Sequence, residues 1–133
     1  MAELKSFPLD YYRNYLDVDD CSTIFRYCNG KQFEAATKLD LCEFLNLRKP
    51  LMPVRILDGE KQRMCFLISQ LLKNKVPAIS EMKRAWLKGI LAACKISQTY
   101  YKSHYNDAGE DWTSGPNKKF YKTVKSILRN EAQ

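Results

Sequence analysis

The chain has 133 residues, of which 45% are hydrophobic and 28% charged, and it carries a net charge of +7. These values are typical of a globular domain with its own apolar core, and they argue against a disordered chain. The sequence contains no apolar run of the roughly 20 residues that a membrane-spanning helix needs. It also begins without the basic and apolar regions of a secretory signal. We therefore expect a cytoplasmic protein that does not bind a membrane.

The charges divide the chain into two unlike halves. Residues 1–60 hold ten acidic and eight basic residues, a net charge of −2. Residues 61–133 hold five acidic and fourteen basic residues, a net charge of +9. Because a basic surface attracts polyanions, the second half is predicted to bind nucleic acid, an acidic protein or an anionic surface.

The first half of the chain shows the hydrophobic periodicity of helices. Predicted helices cover residues 8–16, 21–28 and 31–47. Asp20 is a suitable N-cap for the second of them, and Asn29-Gly30 is a suitable C-terminal stop. Two prolines and a glycine identify residues 48–60 as the main linker, within which residues 53–57 have the composition of a short edge strand.

The helical pattern is clearest in the second half. Predicted helices cover residues 58–75, 81–94, 98–105 and 117–132. Asp58 and Ser80 are the predicted N-caps of the first two, and Gly89 inside the second costs about 1 kcal/mol relative to alanine. Close approach of another backbone would explain that glycine. Residues 1–133 are thus predicted to form one compact all-α domain of five to seven helices.

Catalytic chemistry has little support in the sequence. The five cysteines have spacings of 7, 14, 23 and 29 residues, which match no metal or redox motif, so we expect buried, reduced thiols. A pair of Cys94 with His104, the one histidine, would be the only arrangement of nucleophile and base of that kind. We predict a protein that is not an enzyme, with no catalytic, cofactor or metal site and no small-molecule substrate.

Residues 86–105 have the pattern of two helices joined by a tight turn. The apolar residues suited to the contact between these helices are Ile90, Cys94, Ile96 and Tyr101. The segment resembles the helix-turn-helix of bacterial transcription regulators over roughly twenty residues. Two residues depart from that motif, because Lys95 replaces the usual glycine of the turn and Leu91 replaces the usual alanine of the first helix. A structural helix corner has the same pattern, so both interpretations stay open.

Two groups of residues are candidates for contact with nucleic acid. In the first, Ser97 would cap the second helix of the motif, whose donor-rich side chains then face base edges and phosphates. In the second, basic residues recur on one face of the last predicted helix, where they are suited to follow a sugar–phosphate backbone. The candidate residues are Arg84, Lys88, Lys95, Gln98, Thr99, Lys102, Lys118, Lys122, Lys125 and Arg129.

Two functions are compatible with these features. The first is a small basic accessory or regulatory protein that binds nucleic acid, DNA in preference to RNA, through residues 86–105 and the lysine-rich last helix. The second is a non-enzymatic protein-interaction module, such as an adaptor, assembly subunit or inhibitor. Such a module would offer its basic face, or the cluster of Tyr100, Tyr101 and Tyr105, to an acidic partner.

Overall fold

The computed structural model describes residues 15–105 and 115–128, and these residues form six helices without a strand. The helices are α1 (Val18–Cys28), α2 (Lys38–Leu45), α3 (Lys61–Asn74), α4 (Ser80–Cys94), α5 (Gln98–His104) and α6 (Gly115–Ile127). The predicted all-α class with five to seven helices is confirmed. The helix predicted over 8–16 lies outside the described residues, apart from Tyr15 and Leu16, which form a bend.

Helix α1 begins three residues earlier than predicted. Its N-cap is Asp17, whose side chain accepts a hydrogen bond from the Asp20 backbone N–H at 2.8 Å. The prediction of Asp20 as the N-cap is therefore wrong. Asp20 lies in the first turn and forms an ion pair with Lys75 at 3.5 Å, which ties α1 to the end of α3. The helix ends before Gly30 as predicted, and Gly30 has the positive φ of 76° that such a stop requires.

The helix predicted over 31–47 is shorter in the structure, because α2 begins at Lys38. The side chain of Thr37 caps α2 by accepting a hydrogen bond from Asp40 N–H at 3.0 Å. Before it, the Asn29 side chain accepts a hydrogen bond from Ala36 N–H at 2.8 Å and so holds the intervening residues in a turn. These local side-chain bonds compete with helix formation.

The edge strand suggested for residues 53–57 is reduced to a single antiparallel bridge between Phe33 and Ile56. Two backbone hydrogen bonds flank the bridge, from Glu34 N–H to the Arg55 carbonyl at 2.8 Å and from Leu57 N–H to the Gln32 carbonyl at 3.0 Å. The pairing extends no further, because a turn follows on one side and a proline precedes on the other.

Helix α3 is the centre of the second half, and α4, α5 and α6 all pack against it. It buries the side chains of Met64, Cys65, Phe66, Leu67, Ile68 and Leu71. The helix begins at Lys61, so the prediction of Asp58 as its N-cap is wrong. Glu60 occupies the N-cap position but makes no capping bond, since its carboxylate accepts hydrogen bonds from Arg63 at 2.7 Å and Gln32 at 3.2 Å.

Helix α4 links the two halves. The buried Trp86 donates a hydrogen bond from Nε1 to the Leu45 carbonyl of α2 at 2.7 Å. A Cβ atom added to Gly89 would lie 2.5 Å from Leu47 Cδ1. A neighbouring group therefore does approach this glycine closely, but the group is the Leu47 side chain and not another backbone. Ser80 is the first residue of α4 and not its cap, because Ile79 holds the N-cap position without a side-chain bond.

Candidate nucleic-acid interface

The turn between α4 and α5 has the geometry of a tight helix corner. Lys95 ends α4 in the left-handed region, with φ 60° and ψ 41°. Backbone N–H groups of Lys95 and Ile96 donate to the carbonyls of Ala92 at 3.1 Å and Leu91 at 2.9 Å, which closes the helix end. A left-handed residue at this position is what the glycine of the motif supplies, and here a lysine adopts it.

Helix α5 begins as predicted. The Ser97 hydroxyl accepts a hydrogen bond from Tyr100 N–H at 3.0 Å, which makes Ser97 its N-cap. All the predicted apolar contact positions of this corner are buried, namely Ile90, Cys94, Ile96 and Tyr101. The Tyr101 ring also stacks on Tyr105, with ring centroids 5.1 Å apart.

A groove of about 350 Å³, here called the α4–α5 groove, lies between the two helices. Its floor is apolar and consists of Leu87, Leu91 and Tyr101. Its rim is polar and consists of Arg84 and Lys88 from α4 and Gln98 and Lys102 from α5. The structure thus brings together four of the candidate residues, and all four are exposed.

The rim is electrostatically one-sided. Among the residues that the structure describes, none that lines the groove is acidic. In the part of the chain that the structure describes, the ion pairs are Arg48–Glu43, Arg63–Glu60 and Lys75–Asp20, none of which involves the rim. The acidic loop that follows α5 in the sequence lies outside the described residues. Three rim cations without a carboxylate among them favour an anionic ligand.

The other two candidates near the corner lie apart from the groove. Lys95 is exposed and lines a separate depression of about 460 Å³ together with Arg55, Asp58 and Lys61. Thr99 is exposed on the first turn of α5 but is not part of the groove lining. The predicted cluster of basic residues is therefore divided between two depressions.

Helix α6 carries the second group of candidates. Phe120, Tyr121 and Val124 are buried against the rest of the protein, and the Tyr121 ring lies 4.7 Å from that of Phe66 in α3. On the opposite face, the predicted residues Lys118, Lys122 and Lys125 are exposed. Arg129 lies outside the described residues.

The two basic groups are held on different sides of α3. Helix α5 contacts the side of α3 that carries Lys61, whose Nζ lies 5.4 Å from the centre of the Tyr100 ring. Helix α6 contacts the side that carries Arg63 and Phe66. At 100° per residue, Phe66 and Arg63 lie about 140–160° around the helix from Lys61, so these two sides are nearly half a turn apart. None of the α6 side chains that the structure describes, residues 118–127, lines the α4–α5 groove, so the two groups do not merge there.

Lys83 caps the C-terminal end of α3, a role that was not predicted from the sequence. Its ammonium group donates hydrogen bonds to the carbonyls of Leu72 and Val76, the latter at 3.2 Å, and so satisfies the C-terminal end of α3. Partial burial lowers the pKa of Lys83 below its usual value. The signal in the sequence was a lysine in the first turn of the helix that follows the Val76-Pro77 stop.

Searches for similar proteins identify no relative. No protein-family model matches the sequence, and no curated protein or solved structure is significantly similar to it. Within residues 15–105 and 115–128, no three His, Cys, Asp or Glu side chains are grouped so as to hold a metal ion. No helix in these ranges has both the length and the hydrophobicity needed to cross a membrane.

Proposed function

We propose that this protein is a non-enzymatic, cytoplasmic accessory or regulatory factor that binds DNA through the α4–α5 corner. The observation that carries the proposal is the rim of the α4–α5 groove, where Arg84, Lys88 and Lys102 surround one depression whose described lining residues include no acidic one. Phosphates are the anions that such a rim attracts, because each neutralised phosphate releases counterions.

Each part of the corner has a role in the proposed complex. Arg84, Lys88 and Lys102 contact phosphates and fix the orientation of the protein on the duplex. Gln98 and Thr99 stand in the first turn of the capped helix α5, and a glutamine amide can bond to an adenine edge in the major groove. Lys118, Lys122, Lys125 and Arg129 provide a second line of phosphate contacts.

A second candidate function rests on the floor of the same groove. Leu87, Leu91 and Tyr101 form an apolar surface between the cations. An acidic segment of another protein could place an apolar side chain there and its carboxylates on the rim. In that case the protein is an adaptor, an assembly subunit or an inhibitor.

The test is fluorescence-anisotropy binding to a random DNA duplex, to single-stranded DNA and to an RNA hairpin across a salt series. We expect duplex binding that weakens with salt, and a loss of affinity of about tenfold or more in Arg84→Glu/Lys88→Glu at low salt. The matched control is Lys38→Glu/Lys49→Glu, which makes the same change of charge at exposed positions of the first half.

The outcomes separate the two functions. An equal loss in the control would show that net charge, and not the corner, drives binding. Absence of binding at low salt by the folded wild type would end the nucleic-acid proposal in favour of the acidic protein partner. Strong binding to single strands or RNA with none to the duplex would contradict the preference for DNA duplexes.

A further inference from the structure

Two cysteines face each other where α1 and α2 pack together. The sulfur atoms of Cys21 in α1 and Cys42 in α2 each lie 3.8 Å from the same atom, Asn46 Nδ2. After burial, interaction with the neighbouring Cys42 thiol is a further cause that raises the pKa of Cys21. Both are free thiols. Because both sulfur atoms contact one amide nitrogen, they are neighbours, and a disulfide between these helices requires them to approach to about 2 Å.

The two thiols differ in their access to solvent. Cys42 is half-buried, whereas the other four cysteines of the chain are buried. Burial raises the pKa of Cys21 above its usual range and raises the pKa of Cys28 and Cys94 to about 12. Since the thiolate is the reactive form, those buried thiols react slowly with an oxidant that arrives from solution. A soluble oxidant therefore meets Cys42 first, with Cys21 directly behind it.

We propose that Cys42 and Cys21 are an oxidative modification site, at which a peroxide converts the two thiols to a reversible disulfide that cross-links α1 to α2. The Cys42 thiol releases its proton, and the thiolate attacks one oxygen of hydrogen peroxide. The O–O bond breaks, and the leaving hydroxide takes up the released proton, so the products are a Cys42 sulfenic acid and water. The Cys21 sulfur then attacks the sulfenic sulfur, its proton leaves with the hydroxyl group as a second water, and the S–S bond forms. The thiols lose two electrons and two protons, and the peroxide is reduced.

The cysteine pair is connected by hydrogen bonds to the segment before α1 and to α4. Asn46, which touches both sulfur atoms, is itself buried and accepts a hydrogen bond from the Leu16 backbone N–H at 2.8 Å. Its neighbour Leu45 accepts the hydrogen bond from Trp86 of α4. The α4–α5 groove is lined by other residues than these two cysteines and Asn46, so the inference does not depend on the proposed function.

The experiment exposes the full chain to hydrogen peroxide, blocks the remaining thiols with N-ethylmaleimide and identifies tryptic peptides by mass spectrometry. Cleavage after Arg26, Lys31 and Lys38 separates the two cysteines, so a cross-linked peptide is diagnostic. We expect an intramolecular Cys21–Cys42 peptide that dithiothreitol removes. The matched control Cys28→Ser should retain it.

A second variant tests the first step, oxidation of Cys42, without formation of the disulfide. In Cys21→Ser, Cys42 has no resolving thiol, so we expect a Cys42 sulfenic acid that dimedone traps. No dimedone adduct at Cys42 in the folded variant would overturn the proposal. So would a native chain that gives the same mixture of cysteine pairings as the urea-unfolded chain, or one in which the disulfide joins two molecules.

Discussion

The two basic groups of the second half differ in construction. On the rim of the α4–α5 groove, cations come from two helices, so their spacing depends on how those helices pack. On α6, Lys118, Lys122 and Lys125 lie along one exposed face, and their spacing is set by the helix repeat alone. In the proposed complex the corner would therefore respond to the shape of the duplex, whereas α6 would offer only a line of charge.

The largest expected effect concerns the anchoring of the corner. Trp86 is fully buried and bonded to the Leu45 carbonyl, so Trp86→Ala should lower the free energy of unfolding by about 3–5 kcal/mol. Val124→Ala, at a fully buried position of α6, should cost about 2 kcal/mol, since it removes fewer atoms. Urea unfolding followed by circular dichroism measures both. A smaller cost at Trp86 than at Val124 would show that the corner does not depend on this anchor.

The contact between Gly89 and Leu47 gives the next effect. Gly89→Ala should cost about 1 kcal/mol or less, because the new methyl group would overlap Leu47 Cδ1, which lies at the end of a side chain that can move aside. The atoms within 4 Å of the added Cβ are all from the Leu47 side chain. In a Leu47→Ala background the same change should therefore become neutral or stabilising, as alanine is the better helix former. A double-mutant cycle by thermal unfolding tests this, and additive costs would contradict it.

Charge reversal tests the comparison between corner and α6 directly. Lys118→Glu/Lys122→Glu should weaken binding about tenfold for every duplex sequence and reduce the salt dependence by about two phosphate contacts. Gln98→Ala/Lys102→Ala should in addition change the preference among duplex sequences. Anisotropy titrations with two unrelated duplexes separate these effects. Identical behaviour of the two variants would mean that the corner contributes charge alone.

The corner was predictable from the sequence because its determinants are local. The Ser97 cap and the buried positions at Ile90 and Tyr101 follow from residue type and spacing within one short segment. The α4–α5 groove was not predictable, since Arg84 and Lys102 meet only through the packing of two helices. No spacing rule in the sequence reports that packing angle.

The first half shows where local patterns fail. Residues 31–37 have helical periodicity, but Asn29 and Thr37 bond to backbone N–H groups and delay the helix to Lys38. Asp58 failed as a cap for a related reason, because the turn at Gly59 places Glu60 at the start of α3. In each case a side chain or a turn, and not a longer helix, determines the local backbone conformation.

The smallest expected effect is at the turn of the corner. Lys95 adopts left-handed backbone angles, which cost a non-glycine residue about 1–2 kcal/mol. A glycine avoids this cost, but its greater freedom in the unfolded chain offsets part of the gain in stability. Lys95→Gly should therefore raise the free energy of unfolding by about 0.5–1 kcal/mol, measured by thermal unfolding. Lys95→Ala removes the same charge but keeps the strained backbone, so it should not stabilise. Equal stability of the two variants would show that charge, and not backbone strain, governs this position. Because Lys95 lies outside the α4–α5 groove, we expect the two variants to bind DNA with the same affinity as each other. A higher DNA affinity in the glycine variant alone would show that strain at the turn limits the fit of the corner to the duplex.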